Sequence, residues 1–161
     1  MSRIILKIIL CIAVLFVAAL PVYAQQAKLG ADIEFIEKKI TRMSSYAGDF
    51  LDFVNPQRGN FEGRVQTAEL FHSAVRFDEL LNSLANLLVI YNKLACQSDK
   101  VAISPLVESD VRGCAKKIGT TLASINDLLA AIKTPAIVVV GTQFKDDLRE
   151  TRARLEAIRL N

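Results

Sequence analysis

The sequence predicts an all-α protein, an antiparallel up-down-up-down four-helix bundle with one disulfide. Three observations carry that expectation. Residues 70–96, LFHSAVRFDELLNSLANLLVIYNKLAC, place Leu70, Ala74, Phe77, Leu81, Leu84, Leu88, Tyr91 and Ala95 at alternating steps of four and three. That is the seam of a long helix packed along other helices. The same alternation runs through three further stretches, separated by short links around Pro56, Pro105 and Pro135. Finally, Cys96 and Cys114 flank the middle link.

The chain of 161 residues opens on Arg3 and Lys7, an apolar run from Ile8 to Leu20, Pro21, and Val22-Tyr23-Ala24. This reads as a secretory signal peptide, residues 1–24, cleaved after Ala24, with residues 25–161 as one bundle domain. The rival is an uncleaved anchor helix, but the run falls short of the ~20 residues a membrane span needs. Cys11 lies mid-run, too far from the small-residue cleavage region for a lipid-modified cysteine. The expected compartment is periplasmic or extracellular.

The first helix of the domain carries Ile33, Ile36, Ile40, Met43, Ala47, Phe50 and Val54 in heptad spacing. Asp32 can cap its start, with a start nearer Ala27 as the alternative. Gly48 weakens it by about 1 kcal/mol relative to Ala and leaves room for a neighbouring helix. Asn55-Pro56 ends it, and PQRGNFEG, residues 56–63, is a loop. The second helix begins around residues 62–66. Besides its seam it holds an excess of apolar residues, Leu80, Leu87, Val89, Ile90 and Leu94, which needs deep burial or a partner.

Pro105 lies midway between the two cysteines. Matching the two legs of a Cys96–Cys114 bridge puts the turn near Pro105, with Ser104 as cap and the proline at the first helical position. An extended return after a shorter second helix is the rival geometry. The third helix carries Val107, Val111, Cys114, Ile118, Thr121, Ile125, Leu128 and Ile132. Ala136–Val140 (AIVVV) has local strand character. Yet Ile137, Gly141, Phe144, Leu148, Thr151, Leu155 and Ile158 form one heptad series, and Thr134-Pro135 starts a helix, so the stretch is assigned to the fourth helix. Its charges read as a solvated face, with Glu150–Arg154 and Arg152–Glu156 as favourable pairs.

Charge excludes little beyond nucleic acid. The chain holds 20 Lys and Arg against 17 Asp and Glu; losing Arg3 and Lys7 leaves 18 against 17, a net charge of +1. Nucleic-acid binding needs a dense basic stripe, which is missing. After cleavage only Cys96 and Cys114 remain, and an even count in an exported chain reads as a disulfide. Two free thiols, or half of a metal site, is the alternative.

Catalytic and cofactor motifs fail one by one. Glu69-Leu-Phe-His72 has the Glu-x-x-His spacing of di-iron bundles, but those sites need two such pairs, and the single histidine faces away from the seam. Haem ligation fails with Met43 inward and His72 outward. Ser73 beside His72 lacks an orienting acid. Residues 113–120, GCAKKIGT, have the wrong spacing for a phosphate loop. Thr121 and Thr151 read as core threonines bonded to their own helices. The inward positions are almost free of charge, whereas bundle enzymes place acids, bases or ligands there. No catalytic residue, metal ligand or cofactor is assigned.

What remains is distributional. Phe50, Phe53, Phe61, Phe71 and Phe77 crowd around the first turn, Val138–Val140 reach the same end, and Arg58 and Arg64 flank it. Phe53, Arg58, Phe61, Arg64 and Phe71 are therefore the candidate partner-binding residues, against the simpler reading that the aromatics plug the bundle's end. The expected function is non-catalytic binding by a small exported bundle to a protein partner, of chaperone, inhibitor, immunity or accessory type. A homo-oligomer belongs to the same reading, an apolar ligand is the lesser option, and no membrane anchor is expected after cleavage. One alternative is a metal or haem carrier. Another is an enzyme similar in fold class to the secreted all-α chorismate mutases; that resemblance implies inward Arg and Lys facing a dicarboxylate. An inward cluster of ionisable residues would count against the binding reading.

Overall fold

The computed structural model describes residues 3–55, 63–94 and 97–160, with the side chains of 3–25 and of 97 outside the description. Among the described residues the chain forms four helices and no strand: α1 (Arg3–Val54), α2 (Arg64–Lys93), α3 (Gln97–Ala131) and α4 (Pro135–Ala157). Consecutive helices pack on each other, α1 also packs on α4, and α2 touches α4 across the centre. The register is antiparallel at each seam. Ser44 Oγ donates to Asp78 Oδ1 over 2.6 Å between α1 and α2. Tyr91 and Ser104 share a 2.6 Å hydroxyl contact between α2 and α3. The Leu160 N–H donates to Glu108 Oε1 over 3.0 Å beside α3.

The heptad series become the core. From Leu70 to Tyr91 every seam residue of α2 is buried, as is the whole α4 series from Ile137 to Ile158. In α3 the burial turns slightly, from Leu128 to Leu129, and Thr121 stays half-exposed. Leu80, Leu87, Val89 and Leu94 are half-buried and Ile90 is exposed, so the excess on α2 is only partly absorbed by the bundle.

The helix starts follow local chemistry. Thr134 is extended, Pro135 takes the first position, and the Thr134 carbonyl accepts from Ile137 and Val138 at 3.1 and 3.2 Å. AIVVV is thus helical, because burying Ile137 and Gly141 outweighs the strand preference of its β-branched side chains. Gly141 lets the α4 backbone lie against Leu129, whose Cδ2 would stand 2.3 Å from an added Cβ. Gly63, at φ +97°, turns the chain into α2 in a conformation that favours glycine, and its carbonyl accepts from both Thr67 N–H and Thr67 Oγ1.

Four expectations are corrected. The link between α2 and α3 falls between Lys93 and Gln97, not near Pro105, which is inside α3 and exposed. Proline there removes a ladder hydrogen bond, and a Ser104 Oγ bond to the Lys100 carbonyl, 2.8 Å, supports the same turn. The disulfide falls with that geometry. Helix α3 runs from Gln97 to past Cys114, a rise of about 25 Å at ~1.5 Å per residue, far beyond bridging reach. No cysteine pair stands at disulfide distance among the described residues, and Cys96 itself lies outside them. Asp32 does not cap a helix: α1 begins at Arg3 and passes through Pro21 and Ala24, so Asp32 is mid-helix and buried. Gly48 admits no neighbour either, since an added Cβ would meet nothing within 4 Å. Gly48→Ala is therefore expected to raise stability by about 0.5–1 kcal/mol through helix propensity, read from the urea midpoint; a loss would mean that the position is packed. Among the described residues no helix is long and apolar enough to cross a membrane.

Candidate functional site

The seam between α1 and α4 carries charge into the interior, against expectation. Asp32, Lys39 and Tyr46 recur every seven residues on α1 and are 4–5% exposed. On α4, Asp147 is equally buried. Lys39 Nζ donates to Asp147 Oδ1 at 2.7 Å and to Glu150 Oε2. The other Asp147 oxygen accepts from Tyr46 OH at 2.6 Å and from Arg42 Nε at 2.8 Å. Two turns further along α4, Arg154 Nε reaches Asp32 at 2.5 Å. Phe35 lies between, 5.2 Å from Lys39 Nζ and 5.7 Å from the Arg154 guanidinium, each measured to the ring centroid.

Glu150 and Arg154 thus do not pair with each other within their helix. Each is drawn across to α1, while Arg152–Glu156 does form, at 2.8 Å. The pattern is complementary: Asp32 and Lys39 are seven apart, acid before base, and so are Asp147 and Arg154 in the same order, as an antiparallel pair requires. Chemically the cluster is closed. Both Asp147 oxygens are occupied by donors, leaving none aimed at a substrate proton. Burial first, and the bond to Asp147 second, push the Tyr46 hydroxyl up to about 12, so it stays a donor across the ordinary pH range.

A second feature runs between α2 and α3. Leu80, Ser83, Leu84 and Leu87 on one helix and Asp110, Gly113, Cys114 and Lys117 on the other line a shallow open groove of about 220 Å³. Arg76 and Glu79 extend its rim. Asp110 and Lys117 are exposed and form no ion pair among the described residues. Towards the hairpin tip, Ile90, Val101 and Leu106 are 61–68% exposed. Cys114 forms the buried floor, and desolvation pushes its thiol up to about 11, against a small opposite pull from Lys117. Cys114 in folded, reduced protein is accordingly expected to resist a chromogenic disulfide reagent at neutral pH and to react on unfolding. Mass mapping of the labelled cysteine checks this; prompt labelling of Cys114 in the folded state would be the contrary result.

The residues singled out at the first turn divide. Phe50 and Phe77 are buried core, with Phe50 edge-on to Phe144 at 5.8 Å. Phe53 and Phe71 are half-buried against that core, and Arg64 begins α2 half-exposed. Arg58 and Phe61 lie outside the described residues. The end therefore contains a plug, rimmed by exposed Leu51, Val65 and Val139. His72 is exposed beside Phe71, and among the described residues no three of His, Cys, Asp and Glu converge as metal ligands. Thr151 is buried and bonds the Asp147 carbonyl at 2.7 Å; Thr121 bonds the Lys117 carbonyl at 3.0 Å but is not core. Comparison with protein-family models, curated proteins and solved structures finds no match to this chain.

Proposed function

We propose that the chain is a small exported helical-bundle protein, periplasmic or secreted through a cleaved signal at residues 1–24, that works by non-catalytic binding to a protein. The observation that carries this reading is the α2–α3 groove. Its apolar floor of Leu80, Leu84 and Leu87 continues into exposed Ile90 and Leu106 and is flanked by Asp110 and Lys117, which form no ion pair among the described residues. Apolar centre and polar rim is the composition of a protein interface. The test is crosslinked capture from the native envelope with wild type and with Ile90→Glu, whose site is exposed enough for folding to be spared. One stoichiometric protein, lost with Ile90→Glu, supports the reading. Capture unaffected by that change, or a Soret band or stoichiometric metal in the purified protein, overturns it.

One observation favours the enzyme alternative, namely the buried cation Lys39 and the exposed Arg154 beside an open groove at Phe35, Glu150, Ala153 and Ala157. Against it, Lys39, Arg42 and Arg154 are matched by Asp32, Asp147 and Glu150, so a dicarboxylate would meet cations already neutralised. A dicarboxylate-dependent rise in Tm would reverse this ordering.

A further inference from the structure

We infer that the α2–α3 face is the interface of a homodimer. This rests on the reading that the groove binds a protein, and it names that protein as a second copy of this chain. The groove is built from two helical stripes of identical spacing, Leu80, Ser83, Leu84, Leu87 and Asp110, Gly113, Cys114, Lys117. Each occupies positions i, i+3, i+4 and i+7, one face of a helix.

Both stripes are complementary to their own reversal. A twofold axis crossing the groove at right angles to the helices would pass between Ser83 and Leu84 and between Gly113 and Cys114. It sets Leu80 of one copy on Leu87 of the other, apolar on apolar. It sets Asp110 on Lys117 and Lys117 on Asp110, so two interchain ion pairs arise from one symmetry operation. Those are the two groove charges on α3, and neither has an ion-pair partner among the described residues of its own chain.

The centre of the axis is also where close approach is cheapest. An added Cβ on Gly113 would meet nothing within 4 Å, so the partner's helix can approach the backbone there. Ile90, exposed in the single chain, comes under the stem of Arg76 from the second copy, which covers apolar surface while keeping its charge in water. A heterologous partner would need no such palindrome. A second copy requires it, because in an isologous interface each residue must suit its counterpart.

Charge reversal tests this directly in the full mature chain, by sedimentation equilibrium across micromolar concentrations. Wild type is expected to dimerise. Asp110→Lys and Lys117→Asp, each placing like charges face to face, are expected to weaken the dimer about tenfold or more. Asp110→Lys with Lys117→Asp in the same chain restores opposite pairing and returns the wild-type affinity within about threefold. Both sites are exposed, and far-ultraviolet circular dichroism confirms that each variant is folded. A monomeric wild type, a dimer indifferent to either single reversal, or a double variant no better than the singles would each overturn the proposal. A monomer whose capture of another protein is lost with Ile90→Glu removes the dimer and leaves the binding reading standing. A monomer without such capture removes both.

Discussion

Phe144→Ala is expected to lower the unfolding free energy by about 4 kcal/mol and the Tm by more than ~10 °C. The ring is fully buried where α4 meets α1. It stands edge-on to Tyr46 at 5.5 Å and 60°, and to Phe50 at 5.8 Å and 77°. Truncation therefore loses the transfer energy of a phenyl group, leaves a cavity between two helices, and removes two quadrupole contacts of about 0.5–1.5 kcal/mol each. Phe144→Leu should recover most of the loss, because it refills the volume without the edge geometry. Urea denaturation of both variants measures it. A loss under ~1 kcal/mol for the alanine variant would mean that the α1–α4 seam is not closed around this ring.

The fold was legible because its information is periodic. A seam such as Leu70 to Tyr91 survives any uncertainty about ends, since burying it requires neighbours on one side only. AIVVV was legible for the same reason: Ile137 and Gly141 sit in register with Phe144 and Leu148. The link between α2 and α3 was not. Ser104-Pro105 is a good helix start in isolation, but it lies inside α3, about two turns past its start, where proline is tolerated because its side is exposed. The cysteines reinforced the error, since an assumed bridge fixed the position of the turn. A local signal and a covalent assumption agreed with each other and not with the packing.

The candidate site was hidden for a different reason. A heptad reading sorts positions into apolar seam and solvated remainder, and Asp32, Lys39, Asp147, Glu150 and Arg154 fell on the wrong side of that division. Burial on α1 is in fact centred between the Ile36–Met43 line and the Asp32–Lys39–Tyr46 line. The available signal was pairwise. Acid then base at a spacing of seven in the first helix faces acid then base at the same spacing in the last, which is complementary only when the two run antiparallel. Neither helix carries it alone. The α2–α3 groove was closer to view, because Leu80, Leu87 and Ile90 were already in excess of what one seam could bury.

Asp147→Ala is expected to cost about 3 kcal/mol, and the sign of that change separates a structural clamp from a reactive site. Removing the carboxylate leaves Lys39, 5% exposed, with Glu150 alone, and strips Tyr46 and Arg42 of their shared acceptor. Lys39→Met should cost less, since Asp147 keeps Arg42 and Tyr46. Lys39→Met with Asp147→Leu should recover part of the loss, because an apolar pair avoids the desolvation that the ions require. The four proteins form a double-mutant cycle whose expected coupling is about 1–3 kcal/mol. That coupling should persist in 1 M salt, where an exposed pair would fade, screening being weak for buried charges. If the cluster were instead held in strain for chemistry, neutralising Asp147 would leave stability unchanged or raise it, as removing strained functional groups commonly does. A stabilising Asp147→Asn would therefore move the search for function from the α2–α3 groove to the α1–α4 seam.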